Sequence, residues 1–176
     1  MKHSAKRVFA ALLALVMTAG LLVLPASASG ASPESTSRAD KLLSLHLFQG
    51  AADGYHLDRS PTRMQGLVML IRLLGKENEA LSTTEASPFQ DLTWGQSYAA
   101  YAYSNGLTKG TGATTFNPGG ALTPKGYVTF LLRALGYEDG TDFTVKNALS
   151  FASGVSMMTS SAAGRLASLS MNRGDM

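Results

Sequence analysis

Two tetrapeptides place an arginine in the same slot of the same short pattern. Thr62-Arg63-Met64-Gln65 and Asn172-Arg173-Gly174-Asp175 each begin with a good helix-capping residue and carry an amide or acid three residues on. Helix capping accounts for Thr62, Gln65, Asn172 and Asp175. It does not account for the arginines, because a cation in the first turn of a helix opposes the helix dipole. Arginine beside the free backbone N–H groups of a helix start is a small anion pocket, suited to a carboxylate or a phosphate. The chemistry expected is therefore recognition of an acidic ligand.

Covalent or metal chemistry has little to stand on. The histidines are His3, His46 and His56, and no pair has metal-ligand spacing. There is no Gly-x-Ser-x-Gly element and no phosphate loop. A pair of carboxylates acting as in a glycosidase is poorly framed by helical repeats. The expectation is a binding protein without a cofactor, not an enzyme. There is no cysteine, so neither thiol chemistry nor a disulfide scaffold is available.

The two tetrapeptides sit inside a longer repeat. Leu47-Phe48-Gln49-Gly50, Pro61 to Gln65 and Leu70 to Gly75 recur as Leu107-Thr108-Lys109-Gly110, Leu122 to Gly126 and Leu131 to Gly136. The offset is about 60 residues, with a slip of one between Gly110 and Thr123. A third copy begins near Asn147 and runs into Asn172-Arg173-Gly174-Asp175, so its second helix is cut short. Within each copy the pattern is helix, loop, helix, with no long alternating strand, which gives an all-α repeat array.

The first helix of the first copy is expected over 38–47, with Leu42, Leu43 and Leu45 to Leu47 as its apolar side. Its second helix, 62–74, carries Leu67, Leu70, Ile71 and Leu74 on one face and stops at Gly75. Val128, Leu131, Leu132 and Leu135 repeat that stripe before Gly136. A short acidic helix is expected at Glu77 to Leu81. Trp94 to Asn105 and Val145 to Ser153 are the first helices of copies two and three. Aligning Gly154 with Gly106 puts Phe151 beside Tyr103, as core, while Tyr101 is a candidate for stacking on a sugar. His46 stands where Gly106 stops its helix, and that slot suits left-handed backbone. Arg72 and Arg133, near helix ends, are expected to be structural, and Met157-Met158 to fill core.

The N-terminus reads as a secretion signal over 1–28. Lys2, Lys6 and Arg7 precede an uncharged apolar run from Val8 to Leu24, and Ala26-Ser27-Ala28 fits a cleavage site. The signal holds three of the fifteen basic residues, so the remainder balances the twelve acids. A near-neutral chain has no case for nucleic-acid binding. Cleavage would leave no membrane segment. Residues 29–37 are expected to be a disordered lead-in, followed by copies at 38–82, 83–140 and, in part, 141–176.

Phe89, Asp91, Trp94, Gly106-Leu107-Thr108-Lys109-Gly110, Phe116-Asn117-Pro118 and Leu122-Thr123 occur in an order that resembles the S-layer homology (SLH) domain family, as does Thr62-Arg63-Met64-Gln65. The resemblance implies a pseudo-trimeric bundle of three helix-loop-helix units with grooves between them, the third unit being truncated here. It implies non-covalent anchoring of an exported protein to the cell wall of a Gram-positive-type bacterium. The partner would be an anionic secondary cell-wall polysaccharide, often bearing a pyruvate ketal, and a divalent ion would be tolerated. By position, the carbohydrate-binding residues would be Thr62, Arg63, Gln65, Asp91, Trp94, Gly110, Arg173 and Asp175. The second copy departs from the pattern: Pro124, Lys125 and Gly126 stand where Arg, Ala and Glu are expected. That departure admits an alternative, a self-assembling surface protein whose sugar site has degenerated.

Overall fold

The computed structural model describes residues 32–176. The expected signal, 1–28, and the start of the lead-in lie outside them. Among the described residues there are seven α-helices, two short 3-10 helices and no strand, as an all-α chain requires. No helix among them is long and apolar enough to cross a membrane. The chain divides into two compact units, one of residues 32–122 with 170–176 and one of residues 123–169.

The first unit opens with α1, Pro33–Ser44. Residues 33–37 are thus helical rather than part of a disordered lead-in. The reason is local: the Ser32 side chain accepts from Ser35 N–H at 3.1 Å, Pro33 takes N1, and Glu34 favours the dipole. The helix also ends three residues before Leu47. Leu45 is 64% exposed and does not serve the apolar side. Leu42 instead packs on a small core of Ala39, Phe48, Leu57 and Met69.

Helix α2, Arg63–Leu73, follows, with Leu67, Leu70 and Ile71 fully buried as their spacing demands. Helix α3, Glu77–Leu81, and α4, Gln96–Ser104, pack on it and on each other. Ala99, Ala100 and Ala102 are buried, so small side chains permit this close approach. One carboxylate ties the three together: Glu77 accepts from Arg72 Nε at 2.8 Å and from the Tyr98 hydroxyl at 2.6 Å. Burial opposes its ionisation, yet these two donors hold the Glu77 carboxyl below its ordinary value. Arg72 also reaches Gln49 at 3.1 Å, the structural role expected of it.

The second unit contains α5, Pro124–Ala134, then a 3-10 turn at Val145–Asn147 leading into α6, Ala148–Gly154, and finally α7, Ser160–Ser168. Val128, Leu131, Leu132 and Leu135 are all buried. Tyr137 meets Phe151 edge-on at 5.2 Å, and Phe143 stacks on it at 5.6 Å. Arg133 pairs with Asp139 in a largely buried contact. Helix α7 has no counterpart in the sequence reading. Its start is capped by the Thr159 side chain, and it buries only Ala162 and Ala163, which leaves little hydrophobic periodicity to read.

The repeat shows most clearly where helices end. His46, Gly106 and Ser156 have left-handed backbone after the first helix of each copy, as Gly75 and Gly136 have after the second helix of copies one and two. Behind each, the next N–H reaches back to close the helix: Leu47 to Leu42, Leu107 to Ala102, Met157 to Ala152, Lys76 to Ile71 and Tyr137 to Leu132. His46 therefore occupies the expected slot. The third copy does not: Gly154 lies inside α6 and Ser156 takes the left-handed place, so Phe151 corresponds to Tyr101 rather than Tyr103. Tyr101 and Tyr103 are also exchanged relative to expectation. Tyr101 is 9% exposed and Tyr103 is 44% exposed.

Candidate functional site

The start of α2 is built as the capping pattern requires. Gln65 N–H donates to the Thr62 hydroxyl at 3.3 Å, and Thr62 N–H donates to Gln65 Oε1 at 2.9 Å. The next N–H groups are not left open for an anion. Arg63 N–H donates to the Gly120 carbonyl at 2.8 Å and Met64 N–H to the Pro118 carbonyl at 3.1 Å, while Leu122 N–H donates to Pro61 at 2.8 Å. The helix start of copy one is thus seated on the turn of copy two.

The Arg63 side chain follows its backbone onto that turn. Its guanidinium lies over the Phe116 ring, 4.9 Å from the centroid, and Nε donates to the Phe116 carbonyl at 2.9 Å. Longer contacts reach Thr108 Oγ1 at 3.5 Å and the Gly110 carbonyl at 3.4 Å. These oxygens and the ring face fix the orientation of the charge.

The turn itself is held from the other side. Asp91 accepts from Phe116 N–H at 2.9 Å and from Asn117 N–H at 2.7 Å. The Phe116 N–H foremost, with Asn117, keeps the Asp91 carboxyl below the ordinary range despite partial desolvation. Phe89 packs against Phe116 at 5.5 Å and edge-on to Tyr103 at 5.6 Å. Gly110 has φ +76°, and a Cβ there would stand 2.5 Å from Phe89 Cε1 and 2.5 Å from the Thr115 carbonyl. No other residue fits. Trp94 is 47% exposed, just ahead of Gly95, which abuts Met64. A shallow groove of about 380 Å³ runs beside α4, lined by Glu85, Phe89, Leu92 and Gln96 among others.

A second junction repeats the first. Arg173 N–H donates to the Arg59 carbonyl at 2.8 Å and Gly174 N–H to the Leu57 carbonyl at 3.0 Å. The Arg173 guanidinium lies 5.2 Å over Phe48. Asn172 N–H donates to Asp175 Oδ2 at 2.8 Å, the reciprocal half of a cap. Arg59 and Leu57 occupy the places that Gly120 and Pro118 hold on the other turn. Of the sequence-derived residues, Thr62, Arg63, Gln65, Asp91 and Gly110 converge on the turn at 116–120, and Arg173 with Asp175 forms the second junction. Phe116, Thr108, Phe48 and Arg59 join the two junctions without being site candidates by sequence. Phe116 is legible only as part of a turn, and its role depends on an arginine 53 positions away.

The turn, its aspartate and the glycine that admits Phe89 lie within residues 91–123, and this stretch matches the S-layer homology domain family. Over that stretch the chain is similar to an S-layer homology domain. A cell surface protein of Thermoanaerobacter kivui is 33% identical over 104 residues, 56% of this chain and 14% of that protein. The middle cell wall protein of Brevibacillus brevis is 27% identical over 146 residues, 78% of this chain and 14% of that protein. The chain thus aligns with about one-seventh of either relative's length. No solved structure matches it significantly. The S-layer homology match begins at Asp91 and ends at Thr123, the cap of α5, so it holds the turn but not the arginine laid across it. Among the described residues no cluster of three His, Asp or Glu side chains is placed to hold a metal ion.

Proposed function

We propose that the chain anchors an exported protein at the bacterial cell surface by non-covalent binding of an anionic secondary cell-wall polysaccharide. The observation that carries this reading is the Arg63 guanidinium, laid on Phe116 and oriented by its carbonyl. A guanidinium fixed in one plane is preorganised for a carboxylate, including that of a pyruvate ketal. Trp94 and Tyr103, both substantially exposed in the same unit, offer apolar ring surface for sugar faces. The resemblance, the family match and the cell-surface relatives agree with this reading.

A second reading rests on one specific observation. The helix-start N–H groups of Arg63 and Met64 are occupied by Gly120 and Pro118. On that ground the motif is the joint between repeat copies, and the protein is a self-assembling surface component. Co-sedimentation of the full chain with cell-wall sacculi, intact or stripped of secondary polymer, separates the two. The anchor reading expects pelleting with intact walls only, reduced in Arg63→Gln. Equal pelleting with stripped walls, or concentration-dependent self-assembly without walls, supports the second reading instead.

A further inference from the structure

Helix α4 ends on a pair of residues chemically unlike those that end its counterparts. Its C-cap is Asn105, followed by Gly106, whereas Leu45-His46 follows α1 and Val155-Ser156 follows α6. Asn105 is the sole asparagine of the chain that precedes a glycine, and both residues are exposed. An asparagine so placed is an internal electrophile. The next backbone nitrogen can reach its Cγ through a five-membered ring, and a glycine, having no Cβ, obstructs that approach least. The folded helix end withholds the groups this needs. The Gly106 N–H, which carries the nucleophile, donates to the Tyr103 carbonyl at 3.1 Å. Asn105 Nδ2 donates back to the Tyr101 carbonyl at 2.9 Å and to Ser104 Oγ at 3.3 Å. Just beyond, the N–H groups of Leu107 and Thr108 close on the Ala102 carbonyl at 2.8 and 3.2 Å. Both of these side chains are buried, so the helix end opens only by exposing them.

We propose that Asn105-Gly106 is a self-modification site, shut in the folded chain and active only while the end of α4 is open. The Gly106 nitrogen loses its proton to hydroxide and attacks Asn105 Cγ. The N–Cγ bond forms, the Cγ–Nδ2 bond breaks, and Nδ2 takes a proton from solvent and leaves as ammonia. Water then opens the succinimide, at Cγ to give aspartate or at the backbone carbonyl carbon of residue 105 to give isoaspartate. Water is the sole co-reactant, and nothing is oxidised or reduced. Either product fits this helix end badly. Aspartate sets a carboxylate in place of a donor beside the Tyr101 carbonyl, at the negative end of the helix dipole. Isoaspartate adds a carbon to the main chain, so Gly106 no longer falls where its N–H meets Tyr103. The change is one-way, and a chain that lingers open carries a mark that hinders its helix from closing. The mark also bears on the first junction, because Thr108 Oγ1 lies 3.5 Å from Arg63 Nη2. Leu45 and Val155 carry no amide, so copies one and three have no equivalent site.

The test is to age the full chain in mildly alkaline buffer made with heavy-oxygen water, either folded or unfolded in guanidinium chloride. Peptides spanning residue 105 are then mapped by mass spectrometry. Conversion at Asn105 should run at least about tenfold faster in the unfolded chain, with heavy oxygen incorporated and isoaspartate among the products. Chain aged unfolded should refold in smaller yield than chain freshly unfolded. Asn105→Gln, whose longer side chain closes its ring far more slowly, should keep its yield on ageing. Asn105→Asp, one of the two products made directly, should melt below the wild type. Equal conversion in folded and unfolded chains, or other asparagines converting as fast as Asn105, overturns the assignment of the site. An equal loss of yield in aged Asn105→Gln, or an Asn105→Asp chain as stable as the wild type, overturns the mark it is said to leave.

Discussion

Arg63 and Phe116 meet twice: the guanidinium lies 4.9 Å from the centre of the Phe116 ring, and its Nε donates to the carbonyl of the same residue at 2.9 Å. Lysine keeps the charge but cannot do both, because an ammonium has no planar fork. Arg63→Lys should therefore destabilise the chain by about 2 kcal/mol, nearly as much as Arg63→Ala. Chemical denaturation of both variants checks this. A lysine variant as stable as the wild type would show that charge alone suffices.

Asp91 should matter by its charge state. Its carboxylate satisfies two backbone N–H groups, and asparagine offers only one acceptor oxygen. The folded group ionises below its ordinary value of 3.8, so its contribution is full above that value and is lost as pH falls through the lower, folded value. Asp91→Asn should melt earlier than wild type at neutral pH, and the gap should close in strong acid. Thermal melts at a series of pH values measure it.

Glycines 110 and 106 share left-handed backbone but not surroundings. At Gly106 no atom beyond its own chain neighbours lies within 4 Å of the place a methyl group would take, whereas Phe89 and the Thr115 carbonyl crowd Gly110. Gly106→Ala should cost about 1 kcal/mol of backbone strain, and Gly110→Ala about 2–4 kcal/mol as overpacking is added. Equilibrium unfolding of the two variants side by side is the measurement.

Tyr127 is buried, and burial pushes its phenol up to about 12 from 10.0. The unfolded chain loses this proton above pH 10 while the folded chain keeps it, so stability falls as pH rises between those values, by roughly 2–3 kcal/mol across the window. Tyr127→Phe should flatten the alkaline limb of the stability profile. Denaturation midpoints from pH 9 to 12 test the sign directly.

Trp94 is the sole tryptophan and is 47% exposed, so its fluorescence reports one place on the surface. In the free chain a neutral quencher such as acrylamide should reach it readily. Saturating wall polysaccharide should protect it if sugars stack there, and quenching unchanged by polymer would remove Trp94 from the site.

What can be read from the sequence is chiefly what neighbours in sequence decide. The Thr62–Gln65 box, the acidic helix at Glu77–Leu81 and the left-handed stops at Gly75, Gly106 and Gly136 depend on a few adjacent residues. The third copy misleads because glycine is the usual left-handed residue, and Gly154 is the nearer one. The structure chooses Ser156 because Met157, one step later, is the hydrophobe buried behind that turn. The exchange of Tyr101 and Tyr103 has the same origin, an alignment two positions out of step. At the site, the residue types are legible but their partners are not. The carbonyls of Phe116, Pro118 and Gly120 carry no sequence signature, and only folding brings them to Arg63.

The seating of each helix start on another copy's turn also bears on how the chain reaches this state. Helical proteins ordinarily fold fast because their contacts are local. Here α2 is completed by a turn about fifty positions downstream, and residues 173–174 close against 57–59 near the other end of the described chain. Each closure must be made before its hydrogen bonds form, with an entropic cost that grows with loop length. An all-helical chain of this design should collapse into helices quickly and then wait, folding to completion at the pace of a β-sandwich.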